Sequence, residues 1–184
     1  MKTIHERSWV EIDLTAFRSN LRYLKSFMHS GQQFMQIVKA DAYGHGACDI
    51  AEVAISEGAD YLGVANLEEG KLLRLQGITC PILILSPCLE AEIPAIVEYN
   101  LVPSVSDILL ASAFSSYVQG KCIVYPIHVK IDTGMHRSGV DYYHAKALIR
   151  AINCLQNLII EGLYSHFASA ENDVTFSKDR KSVV

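Results

Sequence analysis

The sequence predicts an α/β protein built as an incomplete (β/α)8 barrel, with about six βα units in residues 1–184. Short apolar runs alternate with helix-like segments at intervals of about 20–30 residues, which is typical of βαβ units and a parallel sheet. Polar clusters follow several runs. This favours a barrel, because a barrel gathers its functional loops at the carboxyl ends of its strands. No Gly-x-Gly-x-x-Gly follows the first strand, which disfavours a doubly wound dinucleotide-binding sheet. Since a complete barrel needs about 250 residues, residues 1–184 are expected to be an amino-terminal part, truncated after the sixth strand.

Six apolar runs predict the strands of this barrel. The first run ends on a lysine, and an alternating segment at 9–12 predicts one short strand before it. In chain order, the six runs occupy residues 34–38, 61–65, 81–85, 101–105, 127–131 and 158–164.

Six helices are predicted around these strands. Asp13, Asn66 and Asp141 can serve as N-caps, and Glu69 stands in the capping-box position three residues after Asn66. Pro94 suits the first turn of a short helix. Four glycines are expected to close helices: Gly31, Gly58, Gly77 and Gly120. In chain order, the helices cover residues 14–28, 50–56, 66–76, 94–100, 107–117 and 141–152, before a polar tail at 171–184.

The composition disfavours several classes of protein. Sixteen basic against 20 acidic residues give a net charge of −4 with no long basic run, so nucleic acid is not an expected partner. No apolar run reaches the roughly 20 residues of a membrane span, and the polar start lacks the apolar core of a secretory signal. The cysteines form no Cys-x-x-Cys and are expected to be free thiols in a reducing cytoplasm rather than zinc ligands. They are Cys48, Cys80, Cys88, Cys122 and Cys154.

The first candidate site is the stretch Gln-Ile-Val-Lys-Ala-Asp-Ala-Tyr-Gly-His-Gly at 36–46. An apolar strand delivers Lys39 into a polar turn, where burial would disfavour a charged amine. A neutral amine can attack a carbonyl group and form a Schiff base. Gly44 and Gly46 allow a tight backbone, and Tyr43 offers a hydroxyl where a phosphate could lie. A surface lysine at the end of a strand is the plainer alternative.

Two further polar clusters follow later strands. Lys130 lies inside an apolar strand, where an unpaired ammonium is costly and needs a partner or a neutralising modification. Arg137 follows a glycine turn, and its charged guanidinium can bind an oxyanion with two fixed donors. The alternative interpretation of this stretch is a surface loop held by salt bridges. His166 ends the last strand, where a histidine can serve as a ligand, as a base or as a hydrogen-bonded core residue.

The stretch Val-Lys-Ala-Asp-Ala-Tyr-Gly-His-Gly at 38–46 resembles the pyridoxal-phosphate attachment motif of alanine racemases, and the stretches at 130–140 and 164–168 resemble that family in the same order. The resemblance implies that Lys39 holds pyridoxal 5'-phosphate, that Tyr43 contacts its phosphate and that Arg137 donates to its phenolic oxygen. In the family the matching lysine is commonly carbamylated, so the resemblance makes Lys130 a candidate carbamate that would be an anionic partner for the arginine. By the same resemblance, His166 packs on the pyridine ring and bonds the arginine that faces the ring nitrogen.

The resemblance further implies an isomerase that interconverts L-alanine and D-alanine as a head-to-tail homodimer, supplying D-alanine for peptidoglycan. Lys39 would act as general base on one face of the substrate. In the family, the opposite-face tyrosine, the ring-nitrogen arginine and most phosphate ligands match nothing in residues 1–184. The isolated chain is therefore expected to have little racemase activity and to retain the cofactor poorly.

Three alternatives remain open at this point. The chain fits a racemase of another amino acid, such as serine or a basic one, because substrate choice rests largely on residues outside it. A single-domain pyridoxal-phosphate carrier is disfavoured, since those proteins use a shorter lysine motif. The third alternative is a truncated gene product without activity. The coding DNA beyond codon 184 would distinguish it from an enzyme, because an open frame supports an enzyme and a stop codon supports a truncated product.

Overall fold

The computed structural model of the protein describes residues 8–171 together with Thr175, Ser177 and Lys178. The strands in this part are β1 Met35–Ile37, β2 Tyr61–Val64, β3 Ile82–Pro87, β4 Val102–Val105, β5 Tyr125–Asp132, β6 Val140–Asp141 and β7 Leu158–Tyr164. The right-handed α-helices are α1 Leu14–Lys25, α2 Ala47–Ser56, α3 Leu67–Leu75, α4 Ile93–Glu98, α5 Ile108–Gln119 and α6 Tyr142–Asn153. One 3-10 turn spans Glu90–Glu92. Ten of the 14 residues in the predicted tail at 171–184 lie outside the described residues.

The strands form a parallel sheet in chain order, which confirms the predicted α/β class. β1 to β5 pair with their successive neighbours, and β7 pairs with β5. The two-residue β6 adds a separate parallel bridge to the end of β5. Within the described residues, β1 pairs only with β2 and β7 only with β5, so this portion of the barrel has two open edges.

The hydrophobic core lies between the sheet and its helices. Leu62, Ile127 and Phe114 are fully buried there, and burial of such apolar surface is the main force that holds helices against a sheet. Strand β5 shows the alternation that builds this layer. Ile127 and Val129 join the core, while His128 and Lys130 point to the opposite, barrel-interior face. From this strand, the barrel interior therefore receives the polar side chains.

The structure corrects three predicted elements. Residues 9–12 form no strand, because Trp9 and Val10 are exposed and no described strand lies beside them. Helix α1 ends at Lys25 instead of running to Met28, since the apolar side chains of its last turn face solvent rather than the core. Strand β1 is half-buried rather than buried, because it lies at a sheet edge. The caps at Asp13, Asn66 and Asp141 are confirmed.

Arg74 joins α3 to the amino ends of two strands. Its guanidinium donates to four backbone carbonyls that precede β3 and β4. It therefore holds together the two loops that lead into these strands, and we call this arrangement the Arg74 bracket. The acceptors are the carbonyls of Tyr99 (3.0 Å), Ile78 (2.8 Å), Cys80 (2.7 Å) and Asn100 (2.8 Å).

Helix α1 is fastened to the end of α2 by an ionic cluster on Glu57. Its carboxylate accepts from Arg18 and, at 2.6 Å, from Nε of Arg22, while the Lys25 ammonium donates to the Glu57 carbonyl at 2.6 Å. Hydrogen bonds from Arg22 and then Arg18 lower the pKa of Glu57 to about 2. The ionised carboxylate therefore stabilises the contact between the two helices.

This cluster predicts an acid-sensitive contribution to stability. A lowered folded-state pKa means that the contribution is present above the ordinary pKa of 4.5 and is lost as the pH falls towards about 2. Glu57→Gln is expected to melt below the wild type at pH 7, and the gap in Tm should shrink as the pH falls from 4.5 to about 2.5. Thermal unfolding of both proteins between pH 7 and pH 2.5 tests this, and a gap independent of pH contradicts it.

Within the described residues, no helix is both long and apolar enough to cross a membrane.

Candidate functional site

One cavity of about 400 Å³ opens at the carboxyl ends of β1, β5 and β7. Carboxyl ends of parallel barrel strands are where functional side chains converge. The cavity is bordered by all five residues that the sequence singled out: Lys39, Tyr43, Lys130, Arg137 and His166. Their exposure differs, because Lys130 is 7% exposed and Lys39 half-buried, while the other three are exposed. The candidate residues thus lie around one cavity.

Lys39 enters the cavity from a left-handed turn at Lys39–Gly44, where the sequence predicted only a loop. Ala40, Asp41, Ala42 and Tyr43 have φ angles of 52° to 57°. This conformation costs about 1–2 kcal/mol for each residue that carries a Cβ. The segment also closes on itself, since the Ala42 amide donates to the Val38 carbonyl at 2.9 Å. Backbone strain of this kind persists at functional sites when surrounding contacts fix it.

Contacts at both ends hold this turn. At its far end, Oδ1 of Asp41 accepts from the amide of Ala47 at 2.7 Å. At the end next to Lys39, the Glu69 carboxylate accepts from the amides of Ala40 at 2.9 Å and Ala65 at 2.7 Å. The sequence placed Glu69 in a capping box, and its long-range role was missed because no local pattern links residue 69 to residue 40.

Lys130 lines the same cavity as Lys39, in the barrel interior. Its ammonium donates to the carbonyl of Leu85 at 3.1 Å and lies 5.4 Å from the ring centroid of Tyr164. Burial lowers the pKa of Lys130, and the charges of Arg137 and Lys39 lower it further. These contacts are a carbonyl and an aromatic face, so the amine is easier to neutralise than a paired surface lysine.

Tyr164 is held rigidly beside this lysine. Its hydroxyl donates to the Leu85 carbonyl at 2.9 Å and lies 2.6 Å from Oγ of Ser104. Burial raises the pKa of Tyr164 to about 12, so the phenol stays neutral. From the sequence, no role was assigned to Tyr164, although it begins the stretch at 164–168, and none to Ser104, which lies inside an apolar strand.

His128 forms the floor of the same cavity and was assigned no role from the sequence. Its Nε2 is buried, and the nearest carboxylate oxygen of Glu161 lies 3.8 Å away, too far for a hydrogen bond. Burial lowers the pKa of His128. Gly162 makes room for the ring, because a Cβ at that position would lie 2.5 Å from Cε1 of His128.

Arg137 is presented by a loop that folds around Asp132, the last residue of β5. Oδ1 of Asp132 accepts from the amides of Gly134 at 2.9 Å and His136 at 3.1 Å. Oγ1 of Thr133 lies 2.6 Å from Oγ of Ser165, which joins this loop to the end of β7 beside His166. The loop therefore brings two candidate residues to one rim of the cavity.

Gly139 closes this loop and is predicted to resist substitution. A Cβ there would lie 2.7 Å from the amide nitrogen of Asp132, and the residue has a φ of +119°. Gly139→Ala is expected to destabilise the protein by about 2–4 kcal/mol in urea unfolding. Gly77→Ala is the matched control, with a positive φ but no atom near the new Cβ, and should cost about 1 kcal/mol. Equal losses in the two variants would contradict a steric role for Gly139.

The electrostatics of the cavity are dominated by cations. Desolvation lowers the pKa of His166, and the charges of Arg137, Lys130 and Lys39 lower it further. His166 is therefore mostly neutral at pH 7 and can stack or exchange hydrogen bonds. The three basic side chains around it, those of Arg137, Lys130 and Lys39, favour the binding of an anion. Among the residues that the structure describes, no group of three or more His, Cys, Asp or Glu side chains could hold a metal ion.

Comparison with known proteins agrees with this geometry. The family model described as alanine racemase, N-terminal domain, matches residues 12–183. The curated alanine racemase of Desulfovibrio desulfuricans is 42% identical over 164 residues, which cover 89% of this chain and 44% of that protein. The structure of alanine racemase from Clostridium difficile 630 superimposes with a TM-score of 0.93 at 31% identity, covering 98% of this chain and 48% of that one.

A second solved structure carries a different activity in its name. The histidine racemase of Leuconostoc mesenteroides subsp. sake superimposes with a TM-score of 0.88 at 26% identity, covering 98% of this chain and 49% of that chain. The chain spans about half the length of the curated relatives it matches. From the family model and the shared fold, the chain belongs to the alanine racemase family and corresponds to its N-terminal domain.

Proposed function

We propose that this chain supplies the lysine-bearing half of an active site that interconverts L-alanine and D-alanine with pyridoxal 5'-phosphate. The observation that carries the proposal is the cavity itself. Lys39 and Arg137 belong to sequence stretches almost a hundred residues apart, yet they border one cavity with Lys130 and His166. Similarity to alanine racemases over most of the chain supports the choice of reaction.

The residues of the cavity fit this cofactor. Pyridoxal phosphate is anionic, and the cavity is lined by basic groups. Burial, and then the charges of neighbouring cations, lower the pKa values of Lys130 and His166. The volume of about 400 Å³ lies in the range of small-molecule sites. We assign attachment to Lys39, a phosphate contact to Tyr43, a bond to the phenolic oxygen to Arg137 and ring packing to His166. When bound, the cofactor acidifies the Cα proton of an amino acid by drawing its electrons into the pyridine ring.

The chain's own residues then have defined tasks. The Lys39 amine takes the Cα proton on one face of the substrate and can return it to the same face. Neutral Lys130 can add to carbon dioxide and lose a proton, which forms a carbamate and places a negative charge beside Arg137. His166, whose pKa is lowered by burial and then by its cationic neighbours, offers a flat ring without adding further charge.

We propose that residues 1–184 are the amino-terminal part of the cofactor-binding barrel and that the active protein is a head-to-tail homodimer. The span of about half of the curated relatives supports this division. The substrate is then a small amino acid, and D-alanine for peptidoglycan is the product. The cytoplasm is the proposed location, in keeping with cysteines that are all free in the structure.

A second candidate is racemisation of another amino acid by the same machinery. The similarity to a histidine racemase supports it, because a solved alanine racemase and a solved histidine racemase both share the fold of this chain. Alanine is favoured by the higher identity of the alanine racemases.

The test uses the protein translated from the complete reading frame that contains these 184 codons. It is incubated with pyridoxal phosphate and L-alanine, L-serine or L-histidine, and the D-isomer is quantified by chiral chromatography. Borohydride treatment followed by peptide mapping should place the cofactor label on Lys39. A label on another residue overturns the proposal, and preferential turnover of histidine or serine replaces the substrate with the second candidate. The 184-residue chain by itself should give little D-alanine.

A further inference from the structure

Glu69 lies in the first turn of α3 (Leu67–Leu75), outside every stretch that the sequence marked as a site. Its two carboxylate oxygens divide between two distant amides. Oε1 accepts from the amide of Ala40 at 2.9 Å, and Oε2 accepts from the amide of Ala65 at 2.7 Å. Ala40 directly follows Lys39, and Ala65 directly follows β2. One side chain therefore fastens the lysine turn to the end of the neighbouring strand.

Capping of its own helix does not account for this arrangement. Oδ1 of Asn66 accepts from the amide of Glu69 at 3.0 Å, so the first turn of α3 already has its cap. A capping box would return the Glu69 carboxylate to the Asn66 amide, whereas here both oxygens bind elsewhere. Glu68 is the adjacent acidic residue in the same turn, and it is exposed. It can interact with the helix dipole as Glu69 does.

The backbone that Glu69 holds is the strained one. Ala40 is the first of four consecutive residues with a left-handed φ, and such segments persist only where contacts over-determine them. The bond between Asp41 and Ala47 holds the far end of the turn, while the bond from Ala40 to Glu69 holds the end that carries Lys39. Hydrogen bonds from amides to a carboxylate are stronger than hydrogen bonds between neutral groups. This contact is therefore suited to holding the backbone of Ala40 in a fixed position.

We infer that Glu69 is a positioning residue for Lys39: its carboxylate fixes the Ala40 amide against the end of β2 and so sets the direction from which the Lys39 amine enters the cavity. The inference rests on the proposed function, because the direction of the amine matters only if Lys39 reacts. Glu69 acts through the backbone and touches neither substrate nor cofactor. A displacement of about 1 Å at a reacting group is enough to slow a reaction by about 10²-fold.

The first arm of the test needs neither cofactor nor activity. Glu69→Gln keeps the shape of the side chain but leaves one oxygen acceptor for two amides. Hydrogen exchange at Ala40 or Ala65 is expected to quicken by at least about tenfold as that amide loses its acceptor. Glu68→Gln, which removes a charge from the same helical turn, should leave both exchange rates unchanged. Glu69→Asp keeps the charge on a shorter side chain and should quicken exchange as well, which separates geometry from charge.

The second arm measures catalysis in the full chain with saturating cofactor. Glu69→Gln is expected to lower kcat by about 10- to 100-fold and to slow borohydride-trapped labelling of Lys39, while KM for alanine stays within about threefold. Thermal melting of each variant confirms that it is folded. If the wild type is active but Glu69→Gln has the same hydrogen-exchange rates and kcat as Glu68→Gln, the inference about Glu69 is overturned while the proposed function stands. If the wild type is neither labelled at Lys39 nor active, the proposed function fails and the inference falls with it.

Discussion

Replacing Lys39 with alanine is expected to lower racemisation by about 10³-fold or more and to abolish labelling by the cofactor. The amine is assigned both to attachment and to proton transfer, and a positioned general base alone contributes about 10²- to 10⁴-fold. Chiral analysis of alanine and borohydride labelling measure the two losses separately. Retention of more than a tenth of the activity would contradict the assignment.

The same variant has an electrostatic signature that does not depend on activity. The Lys39 charge is one of those that lower the pKa values of His166 and Lys130. Lys39→Ala should therefore raise the pKa of His166, which NMR titration of the imidazole can follow. Lys39→Arg is the matched control, because it keeps the charge and removes the reactive amine. It should be inactive while the pKa of His166 stays low. A pKa that falls in Lys39→Ala would contradict the cationic cluster.

Replacing Arg74 is expected to cause the largest loss of stability, about 4 kcal/mol for Arg74→Ala. The guanidinium donates to four carbonyls at 2.7 to 3.0 Å, and each carbonyl left without a partner costs about 1 kcal/mol or more. For a chain of this size that loss corresponds to a fall in Tm of about 8–16 °C. Urea unfolding and calorimetry provide the measurement.

The control for this prediction is another arginine near the end of a helix. Arg150 lies in the last turn of α6 and is exposed, so Arg150→Ala should change the free energy of unfolding by less than about 0.5 kcal/mol. The stability of Arg74→Lys should lie between those of the wild type and Arg74→Ala. An ammonium has fewer hydrogen-bond donors than a guanidinium, and they all lie on one nitrogen atom. Equal stabilities of Arg74→Ala and Arg150→Ala would contradict the Arg74 bracket. The carbonyls lie at the amino ends of β3 and β4, away from the cavity, so folded Arg74→Ala should keep the cofactor chemistry.

Much of the fold could be predicted because its signals are local. The apolar run at 158–164 coincides with β7, and Asp13, Asn66 and Asp141 cap their helices as expected. Prediction failed where the outcome depends on a neighbour. Residues 9–12 alternate like a strand but have no described partner, and a strand without a partner leaves its peptide groups unpaired.

The site was predictable in its chemistry and not in its geometry. The motif around Lys39 marks it as a candidate for cofactor attachment, and parallel strands bring Arg137 and His166 to the same cavity. The left-handed turn could not be predicted, because alanine and tyrosine rarely adopt positive φ angles. Only the glycines at positions 44 and 46 indicated unusual backbone angles. Glu69 was assigned to its own helix, since no sequence pattern reports a bond to an amide on another strand.

The handedness of the turn at Ala40 has a consequence for chemical synthesis. Ala40 has a φ of 52° and is exposed, and positive φ values are the natural preference of a residue with inverted chirality at Cα. A chain assembled by peptide ligation with D-alanine at position 40 should consequently fold more stably than the all-L chain. At this position, the mirror-image amino acid is the better building block.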